Sequence, residues 1–174
     1  MRRKISLLSL LVFSFSLSLG AQQRNGPAVE VKVEDLETTP LGLNITLQDV
    51  NSSEQIQMAI GFTEGQAIAQ ALRHRTNPRP MTHDLFKSFL DRNGWRVQKV
   101  LIRELSGGIF FADLSIEHNG EVQVYDARPS DAMAIGLRYD AKIYVSKELF
   151  EQQKKQQEEK PKGPTPSEPK TRKL

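Results

Sequence analysis

Two short segments of this chain carry side chains suited to phosphate and proton chemistry, each placed where a helix begins. The first is Arg79-Pro80-Met81-Thr82-His83-Asp84 and the second is Asp126-Ala127-Arg128-Pro129-Ser130-Asp131. Each sets Arg-Pro ahead of a helix, then a hydroxyl residue, then an aspartate in or beside the first turn. Proline suits that place, because its fixed φ fits a helix start and its missing N–H had no helical partner. Thr82 and Ser130 are expected to cap free N–H groups, while Asp84 and Asp131 answer the positive end of the helix dipole. Helix starts also hold anions, and an arginine fork beside one matches a phosphate. Arg79, Thr82, Arg128 and Ser130 are therefore the expected phosphate contacts. If the two segments face each other, His83, Asp84 and Asp131 become the expected catalytic groups. Asp84, Asp126 and Asp131 could then hold a divalent cation, Mg²⁺ or Mn²⁺. Such a set suffices for phosphodiester hydrolysis. Glu64, at the opening of an earlier helix, is a further candidate metal ligand, although an acid there also serves the dipole. The bland account of the same residues is a pair of helix starts held by Arg–Asp pairs.

The elements that must position these residues follow from hydrophobic period. Val29, Val31 and Val33 alternate with charged residues, Ile45 and Leu47 with polar ones, and Ile56, Met58 and Ile60 with Gln55, Gln57 and Ala59. These read as half-buried strands, with Asp49 to Ser53 supplying turn chemistry. The period then changes. Ala67, Ile68, Ala71 and Leu72 share one helical face, and Leu85, Phe86, Phe89 and Leu90 share another, closed by Asn93-Gly94. Strands follow over 95–104, 109–118 and 121–127, with turns at Ser106-Gly107-Gly108 and Asn119-Gly120; the Asn-Gly pair is a strong hairpin signal. A third helix over 130–139 and a short strand over 142–146 end the domain. The order βββ-αα-βββ-α-β predicts a single mixed α/β (α+β) domain, about three helices against a largely antiparallel mixed sheet. His74, between Arg73 and Arg75, reads as a solvent-facing cation after the first helix, and His118 as a surface residue. Trp95, Phe110 and Phe111 read as packing residues. No Walker-type loop, G-x-S-x-G or H-E-x-x-H occurs.

The chain ends differ from this domain. Arg2, Arg3 and Lys4 precede an apolar run from Ile5 to Leu19 and small residues around Ala21, so residues 1–20 read as a secretory signal peptide. The run is too short for a transmembrane helix, which needs roughly 20 apolar residues. The mature protein is thus expected to be secreted or periplasmic, with no membrane-spanning segment. Cysteine is absent, which excludes disulfides, thiol catalysis and Cys-based zinc sites. Residues 151–174 are charged and contain proline, and their composition predicts a disordered tail whose first part could prolong a helix. Of 24 basic and 21 acidic residues, the leader and tail take ten and four, leaving 14 basic and 17 acidic in 21–150. A domain with that balance has no uniformly basic nucleic-acid face, so any phosphate contact is local.

With these residues in view, the chain resembles the bifunctional nuclease (BFN) domain family over about Val29 to Phe150. The resemblance is carried by AIGFTEGQAIAQAL (59–72), RPMTHDLF (79–86), GGIFFADL (107–114), DARPSDAMAIGLR (126–138) and IYV (143–145). It implies a mixed α/β fold, nuclease activity on DNA and RNA, and self-association into a homo-oligomer. The family's signature positions fall on Glu64, Arg79, Pro80, Thr82, His83, Asp84, Asp126, Arg128, Pro129, Ser130 and Asp131. Gly65 departs from it, standing where the family carries alanine. The expected function is an exported, metal-dependent nuclease with no organic cofactor; the alternative is a non-enzymatic oligomeric module of the periplasm or cell surface.

Overall fold

Residues 26–75 and 77–159 are described by the structure, a computed structural model. The expected leader and the chain from Pro161 onward lie outside the described residues. Alternation builds the first part: β1 (Ala28–Thr39), β2 (Gly42–Asp49) and β3 (Gln55–Ile60) form an antiparallel meander. In β3 the pattern is clean, with Ile56, Met58 and Ile60 buried and the residues between them exposed. Asp49 makes the turn before β3, accepting from the Asn51 N–H at 2.8 Å and the Ser52 hydroxyl at 2.9 Å.

Helices α1 (Phe62–Leu72) and α2 (Thr82–Arg92) follow, then a second meander of β4 (Arg96–Ser106), β5 (Ile109–His118) and β6 (Glu121–Ala127). The turn between β5 and β6 places Asn119 at φ 52° and Gly120 at φ 83°. Positive φ at both central residues matches the right-handed strand twist, which is why Asn-Gly marks this hairpin. Helix α3 (Pro129–Gly136), a 3₁₀ turn (Leu137–Tyr139), β7 (Lys142–Ser146) and α4 (Lys147–Glu159) complete the described chain. The fold is the expected mixed α/β domain, with four α-helices rather than about three. The fourth, α4, runs through position 150, where the sequence suggests that the domain ends. It buries Leu149 and Phe150, and the Gln153 amide donates to the Gln57 carbonyl of β3 at 3.0 Å.

The strand order is β3-β2-β1-β7-β4-β5-β6. The last strand in sequence is thus central, antiparallel to β1 and parallel to β4, and it joins the two meanders into one sheet. Helix α3 lies against β4, β5 and β7 and also meets α1 and α2. Its sequence is apolar nearly all round, as a helix packed on several sides must be, and every residue of it except Asp131 is buried.

The insertion of α3 corrects the reading of α2. The stripe Leu85, Phe86 and Phe89 does not face the core: Leu85 is 63% exposed and Phe89 59%, and only Leu90 of that face is buried. Since α3 already occupies the sheet, α2 packs chiefly on α3 through His83 and Leu90, and its aromatic face is left outside.

The close seat of α3 on β4 has a measurable cost to disturb. A Cβ at Gly136 would lie 2.6 Å from Val100 Cγ2, and valine has little rotamer freedom to yield. Gly136→Ala is expected to lower stability by about 1–3 kcal/mol, the usual cost of overpacking. Urea unfolding would show a lower midpoint at unchanged slope; an unchanged midpoint would mean that α3 is free to lift.

Candidate functional site

The first three helices begin alike. Glu64, Asp84 and Asp131 each occupy the third position of α1, α2 and α3, where an acid complements the helix dipole. The N-cap residues are Gly61, Met81 and Arg128, none with a side-chain oxygen. This corrects the expected hydroxyl caps, since Thr82 is the first residue of α2 and Ser130 the second of α3. Pro129 is the reason in α3: its preset φ takes the first helical place and moves the cap back to Arg128. In α2 the acid closes the start instead, with the Met81 N–H donating to Asp84 Oδ2 at 3.0 Å.

One network joins all three helix starts. Arg128 donates from Nη2 to Glu64 Oε1 at 2.7 Å and from Nε to Asp131 Oδ2 at 2.6 Å. The other Asp131 oxygen is 3.2 Å from His83 Nε2, on α2. Hydrogen bonds first from Asp131 and then from Glu64 raise the Arg128 pKa, so this guanidinium is firmly cationic. Glu64 reaches it by folding back over the start of α1. A Cβ at Gly61 would collide with Glu64 Oε2, so glycine gives that carboxylate its room. Exposure falls steeply through the cluster: the Arg128 side chain is 67% exposed and that of His83 9%. Glu64 and Asp131 bring two negative charges against the one positive charge of Arg128.

A second network is buried. The Arg138 side chain, only 7% exposed, donates from Nε to Asp84 Oδ1 at 2.7 Å. Its Nη1 donates to the carbonyls of Ala134 at 2.6 Å and Ala67 at 3.1 Å. It thereby ties α1, α2 and α3 together. The sequence offers one weak signal for this residue, a lone charge in the apolar run AMAIGLRY. A third network lies on the strands: Arg103 donates to Asp113 at 2.8 Å and Asp126 at 2.6 Å, with its guanidinium over the Phe111 ring. Arg103 too escapes sequence reading, because only the β5–β6 register sets Asp113 beside Asp126.

Of the residues singled out by sequence, the fold therefore gathers Glu64, His83, Arg128 and Asp131. Asp84 turns instead to Arg138, and Asp126 to Arg103. Arg79 and Thr82 are exposed, Ser130 is buried, and Arg79 makes no ion pair or hydrogen bond among the described residues. The acids are spread over three networks. Among the described residues no three or more His, Asp or Glu side chains form a group that could hold a metal ion, so the residues as arranged do not make a ready ligand set. His74 is exposed, whereas His118 is half-buried against Trp95, with ring centroids 5.3 Å apart.

The family model of the bifunctional nuclease domain matches residues 45–158, a span that contains all three networks. Two curated relatives come from Mycobacterium tuberculosis: uncharacterized protein MT1877 of strain CDC 1551 / Oshkosh and uncharacterized protein Rv1829 of strain H37Rv. Each is 35% identical over 124 residues, which cover 71% of this chain and 72% of the relative.

The Asp84–Arg138 tie has a pH signature. Burial opposes the Asp84 carboxylate, but the Arg138 hydrogen bond, the Met81 N–H and the Arg138 charge outweigh it and hold its pKa below the ordinary 3.8. Such a group adds stability that is full above the unfolded pKa and is lost as pH falls through the lower folded value. Asp84→Asn is expected to be less stable than wild type by about 1.5 kcal/mol at pH 7, the scale of a charge-assisted hydrogen bond. The gap should close as the medium is acidified below the usual carboxylate range. A gap that stays constant in chemical unfolding down to that range would remove the ion pair from the account.

Proposed function

Because the chain belongs to the bifunctional nuclease domain family, we propose that it is an exported nuclease hydrolysing phosphodiester bonds of DNA, RNA or both at the Glu64–Arg128–Asp131–His83 cluster. The observation that carries this reading is the convergence of three helix starts under an exposed arginine. Helix starts favour anions, and a guanidinium held between two carboxylates can exchange one of them for a phosphate in the same bidentate geometry. Arg79, exposed and unpaired among the described residues, is the second phosphate contact, with the exposed Thr82 three residues on at the start of α2. Asp131 orients the His83 imidazole, which on this reading accepts a proton from the attacking water. Ser130, being buried, supports the start of α3 from inside.

Charge balance makes a cation part of the proposal. A phosphodiester adds a negative charge to a cluster that already holds two carboxylates and one guanidinium, and Mg²⁺ or Mn²⁺ would offset it. Among the described residues the acids do not form a ligand set for it as arranged, and the roles of Arg128, Asp131 and His83 rest on their own contacts. Export rests on the leader-like residues 1–20. Self-association rests on the exposed stripe of Leu85, Phe86 and Phe89, an apolar face of the kind that marks protein contacts.

The alternative, a non-enzymatic oligomeric module of the envelope, is favoured by one observation: each of the four acids is already hydrogen-bonded to an arginine. Such pairs can fix a structure without catalysing anything.

Hydrolysis of single-stranded DNA and RNA by the purified protein, with Mg²⁺, Mn²⁺ or EDTA, separates the two. Arg128→Ala and Asp131→Asn, confirmed as folded, are expected to lose about 10²-fold in turnover, the usual cost of removing a charge-stabilising group. Equal turnover in both folded variants would sink the proposed site, and no cleavage under any condition would favour the module. For self-association, Phe89→Glu should lower the mass measured by light scattering to that of a monomer. A wild type that is already monomeric at high concentration would overturn that part.

A further inference from the structure

Between the end of α1 and the side of α2 lies an open groove of about 390 Å³, a size suited to one drug-sized ligand. Its apolar lining is Ala71, Pro80 and Leu137. The segment after α1 builds one wall with His74, Arg75 and Asn77, and α2 adds Asp84, Lys87, Ser88 and Asp91, of which Asp84 pairs with Arg138 of the lining and Asp91 with Lys87. The segment that builds the first wall is unusual for this domain. No acid occurs between Glu64 and Asp84, while Arg73, His74, Arg75 and Arg79 fall within seven residues. These three arginines make no ion pair among the described residues, unlike Arg103, Arg128 and Arg138, which all do. The segment is also held in place. Gln70 and Asn77 exchange two amide hydrogen bonds, at 2.8 and 3.3 Å, and the Arg75 N–H donates to the Gln70 carbonyl at 3.0 Å.

We infer that this groove seats one nucleotide of a single-stranded nucleic acid, with the neighbouring phosphates on Arg73 and Arg75. The inference rests on the nuclease reading for its class of ligand and adds where the strand lies. Charge complementarity carries it. The acids of the lining, Asp84 and Asp91, are paired with Arg138 and Lys87. Arg75 of the lining and its sequence neighbours Arg73 and Arg79 make no ion pair among the described residues, a local excess of positive charge in a domain with more acids than bases. Phosphates on arginines with a base face on an apolar floor is the general manner of single-strand binding. A slot of this volume admits one base and sugar but not a duplex. Asp84 lines the groove one residue away from His83, which reaches Asp131.

The test measures binding and hydrolysis separately. Fluorescein-labelled 12-nucleotide DNA and RNA strands are titrated by anisotropy over a range of salt. Turnover of bis(4-nitrophenyl) phosphate, a diester too small to span groove and site, reports the chemistry. In the double variant Arg73→Ala/Arg75→Ala, the dissociation constant is expected to rise at least about tenfold. The slope of log affinity against log salt should shrink by about 0.7 per arginine removed. Small-diester turnover and melting temperature should stay at wild-type values, since both side chains are exposed. Ser88→Trp, which fills the slot at unchanged charge, should also weaken strand binding. Unchanged affinity in either variant overturns the groove, even if the protein cleaves nucleic acid. Arg75-dependent binding of anionic lipid vesicles with no strand binding would overturn it in favour of a membrane surface. Strand binding lost in both variants, in a protein that hydrolyses no diester, would keep the groove and remove the nuclease.

Discussion

The guanidinium of Arg138 sits almost out of water among three helices, and a buried cation is tolerated only when its donors are matched. Here they meet one carboxylate and two helix carbonyls, from α2, α3 and α1 in turn. Each partner belongs to a different element, so the three helices can satisfy Arg138 only in one mutual placement. That placement sets the start of α2 beside the start of α3 and carries His83 to within reach of Asp131. The cluster around Arg128 is thus a consequence of a buried tie rather than an independent assembly.

Arg128 and Arg138 show how the same ion-pair chemistry takes different parts according to exposure. Both bind an acid at the third position of a helix. Arg138 is enclosed, so its bonds are strong and its release would leave Asp84 without the guanidinium that offsets its charge. Arg128 stands mostly in water, where an ion pair contributes little to stability and can be exchanged for another anion at small cost. Structural rigidity therefore belongs to the inner pair, and the outer one is the pair that water can reach. The separation of the acids over three networks follows from the same logic, because each arginine draws the carboxylates nearest to it. It also explains why Asp84 and Asp131, at successive helix starts, do not end in one metal site.

Much of the fold was legible because its signals are local. Alternation at period two marked the strands around Val29–Val33, Ile45–Leu47 and Ile56–Ile60, and Asn119-Gly120 marked its hairpin by the demand for positive φ. Arg-Pro marked two helix starts, since proline is easily tolerated there. The reading of α2 failed at Leu85, Phe86 and Phe89. An apolar stripe says that a helix has a face to cover, but not whether the same chain covers it. The hydroxyl caps failed because Pro129 and Asp84 each met the need at the helix start by another route.

By itself, then, the sequence determined the kinds of element, their order, the turns and the acids at the helix starts, all of which depend on residues within one or two turns of each other. Tertiary structure alone decided that β7 lies between β1 and β4, that α3 separates α2 from the sheet, and which arginine each acid would meet. Those choices join residues far apart in the chain, 64 positions in the Glu64–Arg128 pair and 118 in the Ala28–Ser146 pairing of β1 with β7. They rest on burial and charge matching across elements, which leave no period or spacing in the chain. Arg103 and Arg138 passed unmarked for that reason: an arginine's type announces that it needs acceptors, and only the packed fold supplies them.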